Sequence, residues 1–249
     1  MKPIALVDLD DTLFQTKKKI PEIAEADLVL ASKSINGSNS YMTKIQAAFV
    51  EWLLVSTEAI PVTARGSEAL SRVTIAFESY SIVSNGAVIL KKDGKPDAEW
   101  HEVVARELRP LAGFFDKLLD EGRTKARELG VHIRCWSVME ADLATYVVFK
   151  EIDGDGSRLE EIVPIIREKR GWVRHHNGNN LALVPPAISK RVASQFLLKK
   201  LRTEHPGRPV IGYGDSVSDF SYLSLCDWWG APGNSQMTDL VVSAVARER

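Results

Sequence analysis

The chain is poor in cysteine, in long apolar runs and in any surplus of one charge, and each lack removes a class of function. Cys135 and Cys226 are its only two cysteines. They stand far apart, without C-x-x-C or Cys/His spacing, which argues against a disulfide framework or a zinc site and leaves two buried thiols as the expectation. No run approaches the ~20 apolar residues of a spanning helix. The opening MKPIALVDLDD meets acid at Asp8, too early for the apolar stretch of a signal peptide, so a soluble cytoplasmic protein is expected. Thirty-two basic residues against thirty-three acidic ones give a formal charge of −1. With no face-long basic stretch, neither nucleic acid nor a membrane is an expected partner, and small-molecule chemistry is the better expectation. Composition offers no lever on oligomeric state.

What is present is an alternation of short strands and helices. At 249 residues the natural prior is one large domain, or a core domain carrying an inserted one. Residues 3 to 7 form a continuous apolar run, the mark of a strand buried on both faces of a parallel sheet. Residues 15 to 42, with Lys17-Lys18-Lys19 and SKSINGSNS, read as a long irregular excursion ahead of a helix over 43–56. A strand (58–63), a helix (66–78) and a strand, turn and strand around Asn85-Gly86 (81–90) complete a first α/β segment. From Lys91 the pattern changes to helix, strand, strand, repeated once: helical 103–129, broken near Pro110, strands at 131–138 and 145–151, helix 158–170, strands at 172–177 and 180–184. This predicts an inserted α+β module with a small antiparallel sheet. After Pro185-Pro186 the alternation returns, with a helix over 190–203, a strand at 209–213, the loop GDSVSD, a helix over 219–225 and a strand at 227–230.

The charged residues gather at the ends of the core strands, where open α/β sheets place ligands. In extended chain, Asp8 and Asp10 present two carboxylates to one side, a repulsive pair that calls for a cation or a proton. Asp10 and Asp11 equally suit the cap of a helix beginning at Thr12. Asp215 and Asp219 follow a second apolar strand, and their oxygens could complete a ligand set for a hard ion such as magnesium; a capped, solvated turn is the other reading. Thr63, with Ala64-Arg65-Gly66, brings a hydroxyl, a guanidinium and backbone amides that suit phosphoryl oxygens. Lys190 opens a predicted helix, a poor place for a cation unless anions stand near it.

Taken in this order, these stretches resemble the haloacid dehalogenase-like hydrolase superfamily. DLDDTL matches its first motif (D-x-D-x-T), Thr63 its second, Lys190 its third and GDSVSD its fourth (G-D-x-x-x-D). TAR, SNGAVI and the place of the insert further resemble the Cof-type branch, which includes sucrose-phosphate phosphatases, trehalose-phosphate phosphatases and phosphomannomutases. That branch commonly has Gly where Asp11 and Ala64 stand and Asn where Ser218 stands, and the excursion at 15–42 is unusual for it. The resemblance implies a Rossmann-like α/β core with a parallel sheet, over 1–90 and 188–249, and an inserted α+β cap domain over 91–187.

The resemblance also implies a division of labour. Asp8 would be the nucleophile that forms an aspartyl-phosphate, and Asp10 the general acid and base. Mg2+ would be held by Asp8, Asp10 through its backbone carbonyl, Asp215 and Asp219. Thr63 and Lys190 would serve catalysis by binding phosphoryl oxygens, with Arg65 and Asn85 among the substrate-binding residues. In the insert, Arg134, Trp136, His175, His176, Asn177 and Asn180 are the polar or aromatic candidates, although HHNGNN reads first as a hairpin turn. Trp228-Trp229 reads as core. The expected activity is a Mg2+-dependent phosphatase acting on a small phosphorylated metabolite, a sugar phosphate first. A phosphomutase of the phosphomannomutase type, or a phosphatase for nucleotides or other phosphomonoesters, is the alternative. A non-enzymatic binding protein on the same scaffold is opposed by the intact set of Asp8, Asp10, Lys190 and Asp215.

Overall fold

The computed structural model describes residues 1–20, 27–35, 37–163 and 171–247. The chain divides into two compact units, Met1–Asp97 with Lys190–Arg249, and Ala98–Ser189. The first unit begins with β1 (Ile4–Val7), in which every residue is buried, as a strand covered on both faces requires. The excursion that follows is ordered where it is described. Three strands, β2 (Gln15–Thr16), β3 (Leu28–Ser32) and β4 (Ser40–Thr43), pair antiparallel in the order β2, β4, β3. The expectation of irregular chain is corrected here: Ala31, Ser32, Ser40 and Met42 are buried, so this small sheet has an inner face to pack. Ala31 and Met42 share an apolar core with Val7, Leu9, Phe14, Val50 and Leu53.

Helix α1 (Lys44–Ser56) starts where expected, because Thr43 and Gln46 form a reciprocal capping box that satisfies two otherwise unpaired backbone donors. β5 (Glu58–Pro61) returns beside β1. The helix expected over 66–78 shrinks to α2 (Ser67–Leu70). The backbone beyond it is claimed by β3 instead: the Thr74 N–H donates to Ala31 O at 2.8 Å, the Lys33 N–H to Arg72 O at 3.1 Å, and Ser32 bridges Val73. β6 (Ser81–Val83) and β7 (Val88–Leu90) form the expected hairpin, with Asn85 at a φ of 58° in its turn. Lys91 to Asp97 stays with this unit, the Asp97 N–H donating to Ile89 O.

The second unit packs helices on one face of a small antiparallel sheet. α3 (Ala98–Leu108), a single turn at Arg109–Leu111 and α4 (Ala112–Glu128) reproduce the helical stretch and its break at Pro110. β8 (Ile133–Glu140), β9 (Leu143–Glu151), β10 (Val173–Asn177) and β11 (Asn180–Val184) pair in the order β10, β11, β9, β8. Phe115, Leu118, Val147, Phe149, Leu181 and Leu183 form its core. The second helix appears as α5 (Leu159–Ile162); the remainder of the expected 158–170 span, from 164 on, lies outside the described residues. HHNGNN is a hairpin whose pairing of Asn177 with Asn180 leaves Gly178 and Asn179 as its two-residue turn.

Back in the first unit come α6 (Lys190–Glu204), β12 (Val210–Tyr213), a turn at Val217–Asp219, α7 (Phe220–Leu223), β13 (Trp228–Gly230) and α8 (Gln236–Arg247). The parallel sheet runs β13, β12, β1, β5, and the bridge of Val62 to Ile82 continues it toward β6. Two expectations change. Trp228 and Trp229 are 66% and 46% exposed on the short outer strand, so they are surface rather than core. Neither cysteine is fully buried. No helix among the described residues is long and apolar enough to cross a membrane.

Candidate active site

The site is assembled at the carboxyl ends of β1 and β12. The Asp8 N–H donates to Tyr213 O at 2.9 Å, continuing the ladder one residue beyond β1 and fixing where the Asp8 side chain leaves the sheet. Asp11 then takes a left-handed φ of 61°, and its N–H donates to Phe14 O at 2.8 Å. The chain therefore doubles back after Asp10, and no helix begins at Thr12. Asp10 and Asp11 are not helix caps.

Lys190, the first residue of α6, lies between two carboxylates: its Nζ donates to Asp8 Oδ1 and to Asp219 Oδ1, each at 2.7 Å. The other oxygen of Asp219 accepts from the Ser216 backbone N–H at 3.1 Å and from Ser216 Oγ at 2.7 Å, so the cap of the turn at 217–219 is Ser216. Gly214 makes this loop possible: a Cβ there would stand 2.6 Å from Asp219 Cβ. Asp215 accepts a hydrogen bond from Thr12 Oγ1 at 3.1 Å. Carboxylate oxygens of Asp8, Asp215 and Asp219 all lie within 4.8 Å of one another.

Three carboxylates and one ammonium leave this cluster negative and largely dry. Burial pushes the Asp8 carboxyl up to about 7, against the pull of Lys190 and with the push of Asp219 and Asp215. Burial likewise carries Asp215 to about 6, aided by the Asp219 charge and opposed by the Thr12 hydrogen bond. For Lys190, burial disfavours the charge, but Asp8 and Asp219 together outweigh it and hold the ammonium above its usual range. A hard divalent cation would relieve the surplus, and the donor set, all carboxylate oxygen, fits one.

Asp10 stands apart from this cluster. Its carboxylate is held by Arg65 in a two-point pair, Nε to Oδ2 and Nη2 to Oδ1, each at 2.7 Å. Asp8 and Asp10 take different partners, Asp8 pairing with Lys190 and Asp10 with Arg65. Arg65, expected to bind substrate, turns its guanidinium to Asp10 and to Ser32. Thr63 is 1% exposed, and its Oγ1 accepts from the Arg65 N–H at 3.1 Å. Its carbonyl accepts from the Asn85 N–H at 3.0 Å, which brings that turn to the same strand end.

Ser32, Thr12, Ser216 and Tyr222 were not found from the sequence. Tyr222 donates to Tyr213 O at 2.6 Å beneath Lys190, whose Nζ is 5.8 Å from its ring centroid. A pattern of acids after apolar strands pointed to the loop, but nothing local marks which hydroxyls will brace it. Lys19, from the lysine cluster, pairs with Asp11. A cleft of about 620 Å³ adjoins Asp215, lined by Asp11, Gln15, Lys19 and Gln46. A second cleft, of about 610 Å³, lies at the amino ends of β1 and β5 around Lys2, Glu58 and Arg208, where Arg208 already pairs with Glu58. In the second unit, the Arg134 guanidinium lies 5.0 Å from the Trp136 ring centroid, Asn180 donates to Asn179, and His176 faces Glu160 at 3.3 Å. His175 is on the neighbouring, opposite-facing position of β10; the side chain of Asn177 lies outside the described residues.

No protein-family model and no curated sequence matches the chain. Solved structures do. A Thermoplasma acidophilum protein is 15% identical, with 97% of this chain and 89% of that one covered and a TM-score of 0.56. A haloacid dehalogenase-like hydrolase from Bacteroides thetaiotaomicron is 14% identical, with both chains covered in full and a TM-score of 0.52. The C-terminal domain of trehalose-6-phosphate phosphatase from C. albicans is 12% identical, with 90% of this chain and 73% of that one covered and a TM-score of 0.51. The chain has the fold of the haloacid dehalogenase-like hydrolases.

Proposed function

We propose that this protein is a phosphatase of the haloacid dehalogenase type that hydrolyses a small phosphorylated metabolite, a sugar phosphate in the first instance, through an aspartyl-phosphate on Asp8. The observation that carries the reading is Lys190 bridging Asp8 and Asp219 at 2.7 Å, with Asp215 alongside, at the carboxyl ends of parallel strands. A phosphatase domain among the similar folds acts, by its name, on a phosphorylated sugar, which supports the substrate class.

In the proposed reaction an Asp8 oxygen attacks phosphorus and the bond from phosphorus to the ester oxygen breaks. The departing oxygen takes a proton from Asp10. In the second half Asp10 takes a proton from water, the water oxygen attacks phosphorus, and the bond to Asp8 breaks, freeing phosphate and leaving Asp8 as the carboxylate and Asp10 protonated, as each began. Lys190 orients Asp8 and, with the Thr63 hydroxyl and the turn at Asn85, meets phosphoryl oxygens, so most of the rate comes from position and charge. Arg65 holds Asp10. Asp8, Asp215 and Asp219, with the Asp10 backbone carbonyl, are the residues that would hold Mg2+, which supplies the positive charge that lets an anionic nucleophile meet an anionic phosphate. The Ala98–Ser189 unit is proposed as the cap that selects the leaving group.

The test is phosphate release from a panel of sugar phosphates, nucleotides and phosphorylated acids, with magnesium and with chelator. Magnesium-dependent release that is absent from Asp8→Asn supports the reading. Exchange of labelled phosphate between positions of a sugar bisphosphate, without release, would replace it with a mutase.

A further inference from the structure

The small sheet inserted ahead of α1 reaches the active site through Ser32. Ser32, the last residue of β3, is 2% exposed, and its Oγ accepts a hydrogen bond from Arg65 Nη1 at 2.6 Å. The other two engaged groups of that guanidinium, Nε and Nη2, are the ones that grip Asp10. The Phe14 ring lies 4.9 Å from the guanidinium carbon. Ser32 itself is fixed from two sides, by its pairing with Ser40 of β4 and by its bridge to Val73. Thr74 adds a hydrogen bond from its hydroxyl to Leu30 O at 2.8 Å.

We propose that Ser32 is a positioning residue for the general acid, acting through Arg65; the inference rests on the phosphatase reading given above. A two-point pair aligns a guanidinium with a carboxylate but lets the two swing together, because both hang on rotatable side chains. The Asp10 side chain is 48% exposed, so its own surroundings do little to stop that swing. A third attachment, to a strand held in a sheet, fixes the guanidinium plane and with it the place where Asp10 meets the leaving oxygen. Sub-ångström placement of this kind is worth rate at a proton-transfer step. The device also gives the additional strands β3 and β4 a catalytic purpose: they carry the serine that braces Arg65.

The test compares Ser32→Ala and Ser32→Thr with wild type, using kcat/KM for an alkyl phosphate, whose leaving oxygen needs a proton, and for p-nitrophenyl phosphate, whose leaving oxygen does not. Because kcat/KM stops at transfer to Asp8, it isolates the acid step. The expected result is a loss of roughly 10-fold on the alkyl ester and less than about 2-fold on the aryl ester in Ser32→Ala, part of the 10²–10⁴-fold that a general acid contributes, with the loss restored by Ser32→Thr. Equal losses on both esters would mean a purely structural serine and overturn the proposal. A wild type inactive on both overturns the phosphatase reading and the leaving-group role together. Independently of activity, hydrogen exchange at Arg65 Nε–H is expected to quicken in Ser32→Ala; an unchanged rate overturns the brace itself.

Discussion

Asp8→Asn is predicted to destroy turnover and, in the metal-free protein, to raise stability. The carboxyl rises from an ordinary 3.8 to about 7 on folding, which at about 1.4 kcal/mol per pH unit corresponds to about 4 kcal/mol of destabilisation once the group is ionised. The sign follows from proton linkage. Because the folded state binds the Asp8 proton more tightly, stability from this group rises as pH falls from about 7 toward 4 and is lost above pH 7. An asparagine keeps an oxygen for Lys190 but carries no charge, so its advantage is largest at alkaline pH; relaxation of the site reduces it to about 1–3 kcal/mol. Urea titrations with chelator at about pH 8.5 and pH 5 measure it: the variant should be the more stable at the higher pH and lose that lead at the lower. Added magnesium should reverse the order, since binding stabilises only the chain that can hold it. A variant less stable than wild type at pH 8.5 in chelator would refute the picture of a buried, under-compensated carboxylate cluster.

Three further outcomes are expected. Arg65→Lys, which keeps the charge but loses the planar two-point grip, should lower kcat/KM for alkyl phosphates by about 10²-fold while sparing aryl phosphates, as steady-state kinetics will show. Asp215→Asn should raise the magnesium concentration for half-maximal activity by at least about 10-fold, because one of three carboxylate donors loses its charge; titration calorimetry gives the same ordering without turnover. Gly214→Ala places a Cβ 2.6 Å from that of Asp219, so it should cost about 1–3 kcal/mol of stability in thermal unfolding and displace Asp219 from Lys190.

The strands that carry the site were legible because a parallel core writes itself as short apolar runs ending in polar residues, as IALV before Asp8 and VIGY before Asp215 do. The start of α1 is fixed just as locally, by the capping box of Thr43 and Gln46, although only the extent of the helix was read from the sequence. The failures share a cause, a partner distant in sequence. The stretch after Leu70 looked helical, but its backbone bonds to β3, about forty residues earlier. T-A-R marked Arg65, but not that its guanidinium pairs with Asp10, 55 residues away. The tryptophan pair looked like core because aromatics usually are, but β13 is the outer strand of its sheet, and only the topology reveals that. Strand spacing could not show which of the acids would cluster: Asp8, Asp215 and Asp219 meet, while Asp10 pairs with Arg65.

The central claim is that Asp8 takes the phosphoryl group. Acid quenching of the magnesium-loaded enzyme during turnover of p-nitrophenyl phosphate, followed by mass spectrometry of its peptides, tests it most directly. One phosphoryl group is expected on the peptide containing Asp8, and none on that peptide from Asp8→Asn. Steady phosphate release by the Asp8→Asn variant, or a phosphoryl group found on another residue, would contradict it.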